Sequence, residues 1–221
     1  MKLFTHLVIL VSLLSSISIH AKEWQLEKVD EERNIQIFTR AGSGENSALK
    51  EFKGVTQIES KLSAFIALLN NEQSACEWMH SCLAFNFISR PSERESYSYV
   101  INDAPWPVAS RDMVIHSQTV QEQDSLTVKV KLTAVSDKKA RDEDYVRINL
   151  LRGEWQFKPL LNNQVEVTYQ VLLDPAGSIP KMLSNAMIVD TPYNTLFALQ
   201  DIINTPALQA SSYDFITEPE S

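Results

Sequence analysis

Along most of its second half the chain alternates between hydrophobic and polar positions. The clearest run sets Leu126, Val128, Val130, Leu132 and Ala134 against Thr127, Lys129, Lys131 and Thr133. Another sets Val165, Val167, Tyr169, Val171 and Leu173 against Glu166, Thr168 and Gln170. Leu83, Phe85 and Phe87 share the period, as do Tyr97, Tyr99 and Ile101, and a strand-like run extends from Met113 to Val120. A period of two with one apolar face predicts strands of an antiparallel sheet that is covered on one side only. Upstream, Ile35 and Ile37 share a face within residues 34–40, Gly42 and Gly44 mark a turn, and residues 48–58 predict a further strand. Trp24, Leu26 and Val29 sit among charges over residues 24–33, a short surface helix at best.

Two stretches carry the helical period instead. Leu62, Phe65, Ile66 and Leu69 predict a helix over residues 60–69, with Ser60 as N-cap and Asn70-Asn71 as stop. Residues 179–204 form the longest, with Met182, Leu183, Ala186, Val189, Leu196, Leu199 and Ile203 on roughly one side. Asp174-Pro175-Ala176-Gly177 stops the strand before it, and Pro180 suits its first turn. Pro192 falls mid-stretch and predicts a kink or break, with Asp190 or Thr191 capping a second segment. Between residues 145 and 157 the apolar phase shifts from Val146, Ile148 and Leu150 to Leu151, Trp155 and Phe157. A phase shift beside Gly153 predicts a bulge that bends the strand. From Pro206 onward the tail, residues 207–221, is polar and expected to fray. The pattern describes an α+β domain over residues 22–206, a bent antiparallel sheet curling around one long C-terminal helix.

Composition adds a charge. With 20 Lys and Arg against 28 Asp and Glu, the formal net charge is −8, which argues against nucleic acid as a partner. The first residues change the compartment. Lys2, an apolar core from Leu7 to Leu14 and a small residue at Ala21 form the three parts of a secretory signal, residues 1–21, cleaved near Ala21. That core is shorter than the roughly 18 residues a membrane span requires. Export, most simply to a periplasm, leaves only His80 and His116 in the mature chain.

Cys76 and Cys82 are the only cysteines. An even pair in an oxidising compartment points to a disulfide. On one continuous helix their α-carbons would lie about 9 Å apart, too far to bridge, so a disulfide requires the chain to turn between them. Two buried free thiols are the other reading. A metal site lacks ligands, since His80 alone stands nearby, and the spacing is not Cys-x-x-Cys.

Enzyme signatures are missing. The chain has no Gly-x-Ser-x-Gly elbow, dinucleotide fingerprint, phosphate loop or His-Glu-x-x-His, and no cofactor is implied. The acidic runs Glu31-Glu32 and Asp142-Glu143-Asp144 read as solvated surface.

At Pro105-Trp106-Pro107-Val108-Ala109-Ser110-Arg111-Asp112 the sequence resembles the Pro-x-Pro-x-x-x-Arg-Asp segment of START domains, the steroidogenic-acute-regulatory-protein-related lipid-transfer family. Further family-like pieces follow the same order: Glu77-Trp78, Val146-Arg147, Arg152-Gly153-Glu154-Trp155-Gln156-Phe157-Lys158-Pro159, and Asp174 through Pro180. Met182-Leu183-Ser184-Asn185 then opens the closing helix. The Cys76, Trp78 and Cys82 cluster resembles that of secreted bacterial members. The resemblance implies a helix-grip fold with a hydrophobic tunnel for one lipid or sterol, lidded by loops and the closing helix, and transient contact with a membrane. A filled core would show the same apolar pattern as a tunnel.

Polar residues are the handle on that difference. Arg111 and Asp112 are strand neighbours and face opposite ways, so whichever points inward needs a partner. Arg147, between Val146 and Ile148, has the same need. An inward arginine held by an acid would anchor a ligand headgroup; the plainer reading is a buried ion pair fixing strand register. Asn185 is a candidate for a bond across the lid, Trp106 for shaping the mouth, and Met182 and Met187 for adapting to an apolar ligand. The rival function is an enzyme on the same fold, a cyclase or hydrolase with an acid, base or tyrosine in the cavity. Its candidates are Tyr97, Tyr99, Tyr169, Asp112 and His116.

Overall fold

The structure, a computed structural model, describes residues 23–42, 44–46 and 48–220. The secretory segment expected over residues 1–21 lies outside them. Ten strands form one sheet among the described residues: β1 (Gln25–Asp30), β2 (Ile35–Ala41), β3 (Lys50–Glu59), β4 (Cys82–Ser92), β5 (Glu95–Asn102), β6 (Arg111–Gln121), β7 (Val128–Ala134), β8 (Val146–Arg147), β9 (Leu151–Pro159) and β10 (Gln164–Leu173). Their order is β1-β2-β3-β10-β9-β7-β6-β5-β4, antiparallel throughout, with β8 off this path and parallel to β6. Four α-helices accompany them: α1 (Leu62–Leu69), α2 (Ala75–Trp78), α3 (Lys181–Ile202) and α4 (Pro206–Gln209). This is the α+β helix-grip arrangement, a large antiparallel sheet with a long helix near the C-terminus.

Residues 25–30 form a strand rather than the surface helix expected of them, because β1 pairs with β2 along the sheet's edge. Tertiary pairing overrides a weak local pattern. The phase shift near Gly153 also has a different cause from a bulge. Residues 146–147 pair with β6, the chain leaves that strand at 148–150, and β9 then runs in unbroken register between β7 and β10. Two strands with different neighbours present different faces. Gly153 is needed for closeness instead, since a Cβ there would sit 2.9 Å from the Gln170 carbonyl oxygen.

The long helix passes through Pro192 without a break, and no second cap at Asp190 or Thr191 is formed. Its two halves do different things. Leu196, Leu199 and the following Ile203 are fully buried beside Ile35, Ile37 and Phe157. The first half has no buried residue before Pro192, and Met182 is 86% exposed. Gly54 on β3 permits the tight half: a Cβ there would meet Leu196 Cδ1 at 2.7 Å.

Helix α1 starts at Leu62 after Lys61, not from a Ser60 cap. Its first amides are met from far along the chain. The Glu218 carboxylate accepts from the Leu62 and Ser63 N–H groups, both at 2.8 Å. The tail expected to fray is therefore packed. Leu208 and Ile216 are buried, and the Gln121 side chain exchanges two hydrogen bonds with the Thr217 backbone.

Candidate functional site

The chain does turn between the cysteines. Helix α2 ends at Trp78, Ser81 takes a left-handed φ of 58°, and β4 begins at Cys82. This brings the two α-carbons to 4.8 Å, and Cys76 and Cys82 are bonded as a disulfide. The bond fixes α2, with the buried Trp78, to the start of β4.

Between the sheet and the first half of α3 lies a cavity of ≈ 670 Å³. Strand alternation decides what borders it. From β6 come Arg111, Met113, Ile115, Ser117 and Thr119; from β5 come Ser96, Ser98, Val100 and Asn102. Val130, Leu132, Leu151, Trp155, Val171 and Leu173 continue the wall across β7, β9 and β10. Leu183, Ala186 and Met187 of α3 close it from the other side. The volume lies within the range of about 300–1,000 Å³ typical of single small-molecule sites.

The same alternation carries Asp112 and Arg147 away from the cavity. Asp112 is 0% exposed, on the opposite face of β6, and pairs with Arg147 through Nε–Oδ1 at 3.0 Å and Nη2–Oδ2 at 2.7 Å. The Tyr99 hydroxyl donates to Oδ2 at 3.0 Å, and Arg147 also donates to the Lys139 and Ala140 carbonyls. Burial pushes the Asp112 carboxyl up, but hydrogen bonds from Arg147 and Tyr99 and the guanidinium charge outweigh it and hold the group below its ordinary value. Burial and that same carboxylate push the Tyr99 phenol up to about 12.

Arg111 does border the cavity, without the acidic partner that the sequence suggested. It is 4% exposed, and its side chain donates to the carbonyls of Ala109, Pro175 (3.2 Å) and Ala176 (3.2 Å). Burial lowers its guanidinium from the usual value, and no charged neighbour contributes. The residue thus ties the start of β6 to the loop that leads into α3.

Of the other candidates, Met187 borders the cavity and Met182 does not. Asn185 is exposed and accepts from Lys50 Nζ at 2.9 Å, a bond between α3 and β3. Trp106 is 92% exposed, next to Pro105 at the cavity's edge. Among the five residues offered for catalysis, Tyr169 alone lines the cavity. His116 stacks on Tyr97 at 4.5 Å and bonds Glu95 at 2.7 Å. Sequence reasoning missed Trp78 and His80, which also line the wall; burial lowers the His80 pKa, partly countered by Asp190. The family-like Glu77-Trp78 piece and the Cys76, Trp78 and Cys82 cluster are the signals for Trp78, and His80 stands out only as the histidine nearest the cysteines.

Among known proteins, the START domain signature matches residues 11–199. The chain belongs to the START domain family. A Pseudomonas aeruginosa protein described only as uncharacterized is 33% identical over 183 residues, covering 81% of this chain and 86% of its own length. The crystal structure of a STAR-related lipid transfer protein from Xanthomonas axonopodis is 32% identical, with a TM-score of 0.73, covering 82% of this chain and 99% of that one. Human StAR-related lipid transfer protein 5 superposes at a TM-score of 0.72 with 12% identity, covering 81% and 86% of the two chains, which is likeness of fold alone.

Proposed function

We propose that this START domain is an exported, periplasmic carrier that holds one hydrophobic molecule, a lipid or a sterol-like compound, in its internal cavity. The observation that carries the reading is the cavity itself, ≈ 670 Å³ between the sheet and α3, walled in larger part by apolar side chains. Transferring apolar ligand surface out of water, at about 25 cal/mol per Å², supplies the driving force, and no catalytic group is required. The Cys76–Cys82 disulfide supports export, because such bonds persist in oxidising compartments. Trp106 and Met182, exposed beside cavity-lining Pro105 and Leu183, support brief contact with a membrane during loading. Arg111 and Met187 remain the ligand contacts from the sequence reading that border the cavity.

Native mass spectrometry of protein purified from its own periplasm tests this reading. A bound molecule of lipid mass is expected, and Ile115→Trp, which fills the cavity from β6, should abolish its retention. Protein that arrives empty and takes up nothing from a panel of fatty acids, sterols and phospholipids would overturn it.

A further inference from the structure

Tyr169 sits in the middle of β10 and faces the cavity. Its ring is fixed on two sides, stacked on Trp155 at 3.9 Å and edge-on to Phe52 at 5.1 Å. It packs against both apolar clusters of the interior. The Tyr99 and Tyr193 hydroxyls donate to Asp112 and Asp30. The Tyr169 hydroxyl has no such partner among the described residues; burial alone pushes its phenol up to about 12, with no hydrogen bond or charge contributing. Tyr169 is half-buried and faces the hollow, while a polar atom beside the same indole is fully enclosed. Trp78, edge-on to Trp155 at 5.9 Å, has a buried Nε1–H without a partner. Hydroxyl and indole N–H groups in apolar surroundings are costly to leave unpaired.

We infer that Tyr169 marks a polar subsite inside the cavity, which takes one uncharged hydrogen-bonding oxygen, a hydroxyl or carbonyl, on an otherwise apolar ligand. The inference rests on the carrier reading above. The oxygen accepts from the phenol O–H while the rest of the molecule lies along the apolar wall. An ionised group does not suit the position. Of the arginines that border the cavity, Arg90 and Arg94 are exposed, and the buried Arg111 grips the loop beyond Leu173, with Tyr169 to Leu173 alone spanning about 13 Å of strand. A carboxylate beside Tyr169 would be desolvated at a point where no charge acts on the phenol.

A competition titration with a fluorescent apolar dye tests this, using dodecane, 1-dodecanol and dodecanoate at pH 8 against the wild type and Tyr169→Phe. The dodecanol-to-dodecane affinity ratio should fall about five-fold in Tyr169→Phe, as expected for one hydrogen bond. The dodecanoate-to-dodecane ratio should not change. Undiminished dodecane binding by the variant shows that the cavity is intact. A dodecanol ratio equal in the two proteins overturns the subsite, and a fall in the dodecanoate ratio instead overturns its preference for an uncharged oxygen. If neither the dye nor any probe binds the wild type, the carrier reading itself fails.

Discussion

Arg147 grips Asp112 with two hydrogen bonds, both residues buried, on the face of β6 turned away from the cavity. The pair joins β8 to β6, where Val146 lies beside Arg111 and Arg147 beside Asp112. A strand of two residues has few backbone bonds to hold it, so the side chains fix its place. Arg147→Met leaves a carboxylate buried with only Tyr99 to satisfy it. Loss of about 3–5 kcal/mol is expected in denaturant unfolding, whereas dye binding in the cavity should persist in the folded fraction.

The pair also sets a pH dependence. Because the Asp112 carboxyl is held below its ordinary value of 3.8 in the folded state, its contribution is fully present above that pH. It is lost as pH falls from about 4 through the lower folded value. The difference in unfolding free energy between wild type and Asp112→Asn should be constant from pH 5 to 7 and shrink below 4. A difference that stays flat to pH 2 would show that folding does not lower the Asp112 carboxyl.

Trp106 and Met182 expose large apolar surfaces next to residues that line the cavity. If they touch a bilayer during exchange, their loss should alter the rate and not the equilibrium. Trp106→Ala combined with Met182→Ala should slow ligand transfer between vesicles several-fold, with binding in solution unchanged within two-fold. Equal transfer rates would remove these residues from the exchange step.

The strands with a strict period of two were readable from the chain, but not always the side each residue faces: on β5 the alternating Tyr97, Tyr99 and Ile101 turn away from the cavity, and Ser96, Ser98, Val100 and Asn102 border it. Arg111 and Asp112 had to point opposite ways, and they do. Which of them faced inward was not readable, because that depends on how residues 135–147 cover the outer face of β5 and β6. Two of the three Arg111 partners are backbone carbonyls 64 and 65 residues away, and a carbonyl leaves no mark in sequence. Edge strand β1 was invisible for a related reason: its strand state comes from β2, not from its own residues. The hollow was illegible for a third. Leu132 and Val171 are ordinary core residues by type, and only the gap left by the first half of α3 makes them a lining.

Glu218 lies 156 residues from the amide it caps. The two N–H groups at the start of α1 would otherwise be orphaned, since Lys61 supplies no side-chain cap. Glu218→Ala should cost about 0.5–2 kcal/mol by denaturant unfolding, comparable to removal of a local N-cap. Glu218→Asp is too short to reach both amides and should recover part of that. Hydrogen exchange at Leu62 and Ser63 should quicken in both variants.

Gly54 decides how closely α3 approaches the sheet. A Cβ there would stand 2.7 Å from Leu196 Cδ1, 3.2 Å from Ile37 Cδ1 and 3.4 Å from Pro192 Cβ. The leucine tip is able to yield, but Pro192 belongs to the helix itself. Gly54→Ala should therefore cost about 1–3 kcal/mol as overpacking, less a few tenths regained from the lower entropy of the unfolded chain. Gly54→Val, which also presses on Pro192, should cost more. Because the clash runs through Leu196, the double variant Gly54→Ala/Leu196→Ala should be more stable than the sum of its parts predicts. Strict additivity would mean that the helix has moved as a body, and the cavity at its other half would then change volume as well.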